Sequence, residues 1–173
     1  DGDTVLVYRG FYQENLLINK SITLASHAIY DNLSNLESWT QYDAEESFEW
    51  QVFNDNINET IIDGSIGTTV NIDNQSVDIG SCILVYNEND CITPTIMGFT
   101  IQNGTGTEVI RNPGTDNSEE QVLGGGILVS VANPTINYNK IKDNFSDCGD
   151  RGNCLDSGGG SYMSSHPEDF GFD

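Results

Sequence analysis

Cys82 to Asn103 reads CILVYNENDCITPTIMGFTIQN, and the fold follows from the way this stretch is repeated. Ile127 to Asn144, ILVSVANPTINYNKIKDN, is an imperfect second copy. Both run Ile-Leu-Val, a polar turn, Pro-Thr-Ile, then a second short apolar run ending in Asn. Thr4 to Tyr8 (TVLVY) echoes Ile83 to Tyr86 upstream, and Gly160 to Pro167 (GSYMSSHP) is a frayed echo of Gly126 to Pro134. Short strands and Asn/Gly turns recurring along a chain mark a solenoid. The glycines at 126 and 160 are 34 residues apart and the prolines at 94 and 134 are 40 apart. The period is therefore loose, as when insertions hang from one corner of the repeat.

Working outward, Thr4–Tyr8 alternates and is β-branched, Arg9-Gly10 turns, and Glu14–Ile18 is the next strand. Asn19-Lys20 turns again before Ser21–Ala25. No segment between these strands is long enough for the crossover helix of a βαβ unit. Hairpins would want Asn-Gly turns, which are mostly missing. Strands that bend at short corners and stack on the coil below fit better. The repeat resumes at Thr60–Gly64 and Thr69–Asp73.

Three insertions interrupt it. Residues 28–59 carry Trp39, Tyr42, Phe48, Trp50 and Phe53 among acidic residues. Leu33, Leu36 and Trp39 have helical spacing there, with Asp31 or Ser34 as caps, and the segment is expected to fold over one flank. Residues 104–123 are Gly/Thr/Asn-rich and acidic, and 145–157 form the third excursion. The whole of 1–173 reads as a single domain. Val5, Val7, Leu16, Ile18, Ile22, Leu24, Ile61, Ile83, Val85, Ile96, Phe99, Ile101, Ile127, Val129, Ile136 and Ile141 are expected to stack inward. Asn103 and Asn144 are expected to form a side-chain amide ladder at one corner.

The chain has 27 acidic and 6 basic residues, for a net charge of −21. Six scattered cations exclude a nucleic-acid partner, because phosphate is bound by Lys and Arg. No apolar run approaches the roughly 18 residues of a membrane helix, so membrane insertion is not expected. Such acidity suits either solubility in a salty exterior or divalent-cation binding. The four cysteines fall in two near pairs, Cys82/Cys91 and Cys148/Cys154, at spacings unlike a zinc site. Loop-closing disulfides within each pair fit best and imply an oxidising compartment, with other connectivities and free thiols left open.

The runs DGDTVLVYRGFYQENLLINKSITLAS, TIIDG, TIMGFTIQNG and GGGILVSVANPTINYNKI resemble the right-handed parallel β-helix proteins of the pectin-lyase-like superfamily. More narrowly they are similar to bacterial secreted or surface proteins whose repeats read GDTVLVxxGxYxENI, ITLxS, TIIDG, GFTIxNG and GGGIxxxxxxPTI. The resemblance spans the chain apart from the insertions. It implies an all-β, right-handed parallel β-helix solenoid of about four coils, secreted or on the cell surface. An amphipathic segment and a first strand usually precede GDTVLV in such relatives. Their absence implies a fragment of a longer protein. The same repeats occur in lyases, hydrolases and adhesins, so the resemblance does not decide function.

The superfamily's lyases imply a basic residue beside calcium-holding carboxylates. Arg9, Arg111, Lys140 and Lys142 are the available cations, and no carboxylate triplet at neighbouring strand positions accompanies them. Asp63, Asp73 and Asp143, at strand ends, are the nearest approach to a hydrolase's clustered carboxylates. The best chemical candidate is a calcium site from Asp143, Asp147, Asp150, Asn153 and Asp156, with Asn144 beside them. Cys148 and Cys154 would brace that loop. Trp39, Tyr42 and Trp50 are candidates to stack on sugar rings, or to anchor their insertion by burial.

The expected function is a non-catalytic extracellular module for adhesion, scaffolding or glycan binding, stabilised by calcium (Ca2+) as its only cofactor. Its partners would be a polysaccharide or cell-surface glycan, further copies, or the rest of a longer chain. The alternatives are a polysaccharide lyase or glycoside hydrolase, and a structural segment of a surface filament or layer.

Overall fold

A computed structural model describes residues 2–45, 50–72, 75–87, 90–111, 116, 118–146, 155–157, 160–164 and 170–171. The chain is all-β, with strands mostly parallel. The first circuit is β1 (Thr4–Val7), β2 (Gly10–Gln13) and β3 (Leu16–Ile18), followed by β4 (Thr23–Ser26). The first insertion carries a short antiparallel hairpin, β5 (Thr40–Tyr42) and β6 (Trp50–Val52), and one helical turn, α1 (Asp55–Asn58). Then come β7 (Thr60–Asp63), the antiparallel hairpin β8 (Thr68–Ile72) and β9 (Gln75–Ile79), and β10 (Ile83–Tyr86). β11 (Thr95–Met97), β12 (Thr100–Gln102), β13 (Thr107–Arg111), β14 (Glu119–Leu123) and β15 (Ile127–Ser130) follow. The described chain ends with β16 (Thr135–Asn137), β17 (Lys140–Lys142), β18 (Leu155–Ser157), β19 (Ser161–Ser164) and β20 (Phe170–Gly171).

These strands build three four-stranded parallel sheets, ordered β1-β4-β11-β16, β2-β7-β12-β17 and β3-β10-β15-β19. The chain visits the sheets in the same cyclic order on every circuit, and each strand pairs with its counterpart one circuit away. This is compatible with a β-helix. Identical pairing registers bring like residues together: Leu16, Ile83 and Ile127 form one column, and Leu24, Ile96 and Ile136 another. The enclosed core contains Ile18, Leu24, Ile62, Ile83, Val85, Ile96, Phe99, Ile101, Ile127 and Val129.

The Ile-Leu-Val runs do not alternate because their sheet is covered on both faces, which selects continuous apolar strands. Ile83 and Val85 face the core. Leu84 and Leu128 face the other way, into a second cluster with Ile72, Val77 and Ile79 of the β8–β9 hairpin and Val109 and Leu123 of β13 and β14. In the 28–59 stretch Ala28, Leu33 and Ile57, with Trp39 and Val52, pack against Met97 and Tyr138. The 104–123 insertion is bounded by β13 and β14, antiparallel over five residues each.

Several details differ from the sequence reading. A strand, β2, begins at Gly10 itself, where a turn was expected, and runs to Gln13. Ile62, not Ile61, points into the core, paired with Ile101. Both are apolar, so the inward phase of TIID is ambiguous until its partner strand is known. Val5 follows the inward column but is 47% exposed, because β1 is an edge strand. The helical stretch at Leu36–Ser38 is a single 3-10 turn capped by Asn35 rather than by Asp31 or Ser34.

The amide ladder is also re-registered. Asn103 stands level with Asp143, and the two share left-handed backbones, φ 61° and 54°. Asn144 stands level with Gly104, whose N–H donates to Asn144 Oδ1 at 2.9 Å while Asn144 Nδ2 donates to Ile101 O. Asn139 does the same one corner earlier, bonding the Phe99 N–H and Ile96 O. These amides tie successive circuits together, a structural role, but not through each other: Asn144 and Asn139 bond backbone groups, and Asn103 Nδ2 donates to the Asp63 carboxylate.

Cys82 and Cys91 are thiols, not a disulfide. The four-residue strand β10 lies between them, a span of about 13 Å. That exceeds the roughly 7 Å at which a bridge closes. Cys82 is buried, its Sγ 3.1 Å from Gln102 O and 3.3 Å from Asn144 Oδ1, while Cys91 is exposed. Burial pushes the Cys82 thiol up to about 11, outweighing hydrogen bonds from the Gly64 and Gly104 backbones. A thiol kept protonated is a poor nucleophile. Native protein at pH 8 is therefore expected to take iodoacetamide at Cys91 and to leave Cys82 unmodified until denatured. Peptide mapping decides: equal labelling, or a surviving Cys82–Cys91 bridge, would contradict this packing. Cys148 and Cys154 lie outside the described residues.

Candidate functional site

Two surfaces hold several of the described residues singled out above. The first is the outer face of β2, β7, β12 and β17. Since Ile62, Ile101 and Ile141 point inward, their neighbours point out. Gln13, Asp63, Gln102 and Lys142 form one outward column, and Phe11, Ile61, Thr100 and Lys140 the other. Asp63 is only 3% exposed. Burial pushes its carboxyl up, but hydrogen bonds from Ser65, Gln102 and Asn103 overcome this and hold it at about 2. Gln102 Nε2 reaches Asp63 Oδ2 at 3.0 Å and Asn103 Nδ2 at 2.6 Å, while the Ser65 N–H reaches Oδ1 at 3.1 Å.

A general base works best with a pKa near the working pH, so this saturated anion is a poor one. The lysines share its face but are committed. Lys142 pairs with Asp143, and Lys140 Nζ donates to Asn58 Oδ1 at 3.3 Å, tying the first insertion down. Asp73 lies outside the described residues. The column reads as structural polar packing.

The second surface is the β5–β6 hairpin. Its register sets Thr40 opposite Val52, Gln41 opposite Gln51 and Tyr42 opposite Trp50. Buried Thr40 anchors one face through a hydrogen bond from Oγ1 to Leu36 O. Tyr42 and Phe53 are 46% and 50% exposed. With Gln41, Gln51, Asp43, Ala44 and Glu45 they line an open concavity of about 600 Å³.

The predicted aromatic trio is thus divided. Trp39 is half-buried and meets Tyr138 edge-on at 5.7 Å, so it anchors the insertion. Tyr42 lines the concavity, and Trp50 is placed opposite it by backbone register. Gln41, Gln51 and Phe53 were not in the predicted set. The alternation of TQY and WQVF was the signal for them, once the two runs are paired.

The calcium candidates are not assembled among the described residues. Asp147, Asp150 and Asn153 lie outside them, Asp156 contributes a described strand backbone in β18, and Asp143 is occupied by Lys142. No group of three or more His, Cys, Asp or Glu able to hold a metal occurs among the described residues. Nor does any described helix have the length and apolarity to cross a membrane.

The chain matches no protein-family model, and no curated protein or solved structure matches it.

Proposed function

We propose that the chain is part of a right-handed parallel β-helix and serves as a non-catalytic, extracellular glycan-binding module. The observation that carries the reading is the composition of the hairpin concavity. Exposed aromatic faces offer apolar area to sugar C–H groups. The Gln41 and Gln51 amides and the Asp43 and Glu45 carboxylates supply donors and acceptors for hydroxyls. Pockets that bind polar small molecules combine such features. The fold reading is supported by the cyclic strand order, the repeated register and the corner asparagines. Against an enzyme stand a carboxylate already saturated by hydrogen bonds and lysines already paired.

The test is affinity electrophoresis through gels containing soluble neutral polysaccharides: hydroxyethylcellulose, galactomannan, xylan and dextran. Tyr42→Ala and Phe53→Ala together are expected to weaken retardation about tenfold, roughly the value of one good aromatic contact. Wild-type retardation in that variant, or reducing ends released from any polymer, would overturn the reading.

A further inference from the structure

A second group of rings, drawn from two circuits, is used by neither the repeat nor the hairpin. Tyr8 sits in the turn after β1, and His27 and Tyr30 in the 3-10 turn after β4. The His27 ring lies 4.5 Å from Tyr8 at 40° and 5.8 Å from Tyr30 at 65°. The two tyrosines are 69% and 74% exposed, higher than the other exposed large hydrophobic residues among those described. Tyr8 is held in place from below, since Tyr12 Oη donates to Tyr8 O at 2.9 Å. His27 Nε2 is buried without a hydrogen-bond partner among the described residues. A buried nitrogen left unpaired is uncommon.

Polar groups border this row and are fixed by one another. Arg9 Nε donates to Asn56 Oδ1 at 2.8 Å, and Arg9 Nη1 to Glu59 Oε2 at 3.1 Å. Asn54 Nδ2 and Asn56 Nδ2 both donate to Asp31 Oδ2, at 2.9 and 2.8 Å. Those two bonds, ahead of the attraction of Arg9, hold the Asp31 carboxyl below its ordinary range. It is therefore an ionised acceptor at neutral pH. Both amide bonds end on Oδ2, and Oδ1 takes no side-chain donor among the described residues.

We infer that Tyr8, His27 and Tyr30, bordered by Arg9 and Asp31, form a second glycan-binding surface for neutral polysaccharide. Exposed rings inclined to one another present apolar faces, and ordered acceptors and donors at the rim suit hydroxyl groups. Charge chooses among polysaccharides: a chain of net charge −21 repels a polyanionic polymer, and the Arg9 guanidinium, already paired with Glu59 and Asp55, offers it no free cation. A neutral sugar chain meets no such penalty. The inference shares the ligand class of the proposed function but not its residues.

The experiment runs the same polysaccharide gels, with polygalacturonate added as a polyanion, on wild type, Tyr8→Ala/Tyr30→Ala, Tyr30→Phe and Tyr42→Ala/Phe53→Ala. Urea melts confirm that each variant is folded. Tyr8→Ala/Tyr30→Ala is expected to lose about tenfold in apparent affinity for at least one neutral polymer, and Tyr30→Phe to keep it. Full retention in Tyr8→Ala/Tyr30→Ala, with loss confined to the hairpin variant, overturns this surface and leaves the hairpin standing. Loss confined to Tyr8→Ala/Tyr30→Ala supports it and removes the hairpin. Retardation by polygalacturonate alone, or by no polymer, overturns both.

Discussion

Gly104→Ala is expected to abolish a stable native state at 37 °C, the largest effect of any single substitution proposed for this chain. A methyl group at this position would lie 1.9 Å from Gly125 O and 2.8 Å from both Gly125 C and Cys82 Sγ. Two of those atoms are backbone, so no side-chain rotation relieves the contact. The corner is also held on all sides. Gly104 N–H donates to Asn144 Oδ1, Phe145 N–H to Gly104 O at 3.0 Å, and Cys82 N–H to Gly125 O at 3.1 Å. Moving either strand far enough to admit the methyl breaks bonds that link two circuits. A cost of about 4 kcal/mol or more follows from such a clash, large against the total stability of about 5–15 kcal/mol. Gly160→Ala is the control, because a methyl there meets no described atom within 4 Å. Urea melts followed by circular dichroism decide the matter. A Gly104→Ala midpoint equal to that of Gly160→Ala would show that the corner opens freely.

Why this corner was only partly legible illustrates what repeats reveal. The two copies of the reference stretch identify equivalent strands, because apolar side chains in the same register face one core. Ile83 and Ile127, and Ile96 and Ile136, were placed together on that ground and do pair. Corners carry no such periodicity. IQNG and IKDN align equally well on their asparagines or on their strand lengths, and only the latter puts Asn103 beside Asp143. The physical discriminator is a positive φ, which Asn and Asp both tolerate. Cysteine spacing misled for a related reason. Nine positions of sequence become a strand and a turn, which carry the two sulfurs apart rather than together. The Tyr8, His27 and Tyr30 row was illegible because its members come from two circuits and share no period. Its only trace is that each occupies a turn adjoining a recognised strand.

Asp63 supplies the second large effect, and its pH dependence separates a structural anion from a catalytic one. The folded carboxyl titrates at about 2, against an ordinary 3.8. A group whose folded pKa is depressed adds stability that is fully present above its unfolded pKa and disappears as pH falls through the folded one. The window is therefore about pH 4 down to pH 2, and the shift corresponds to roughly 2 kcal/mol. Asp63→Asn loses this at neutral pH, since its NH2 must face either the Ser65 N–H or the amide donors of Gln102 and Asn103, which are left without their acceptor.

Total stability is the wrong readout, because a chain with 27 acidic residues and a net charge of −21 relieves its own repulsion on acidification. That relief is nearly common to wild type and variant and cancels in their difference. Urea melts of both at pH 7, 5, 3 and 2 should show a gap of about 2 kcal/mol that is constant down to pH 5. It should then shrink by pH 2, as the wild-type carboxyl takes up its proton. A gap that stays level to pH 2 would mean that the hydrogen bonds of Ser65, Gln102 and Asn103 do not hold the charge. A gap that instead widens in favour of wild type as pH falls through 5 or above would describe a raised carboxyl, the kind that can accept a proton from a substrate. That outcome would return the outer face of β7 and β12 to candidacy as a hydrolytic site.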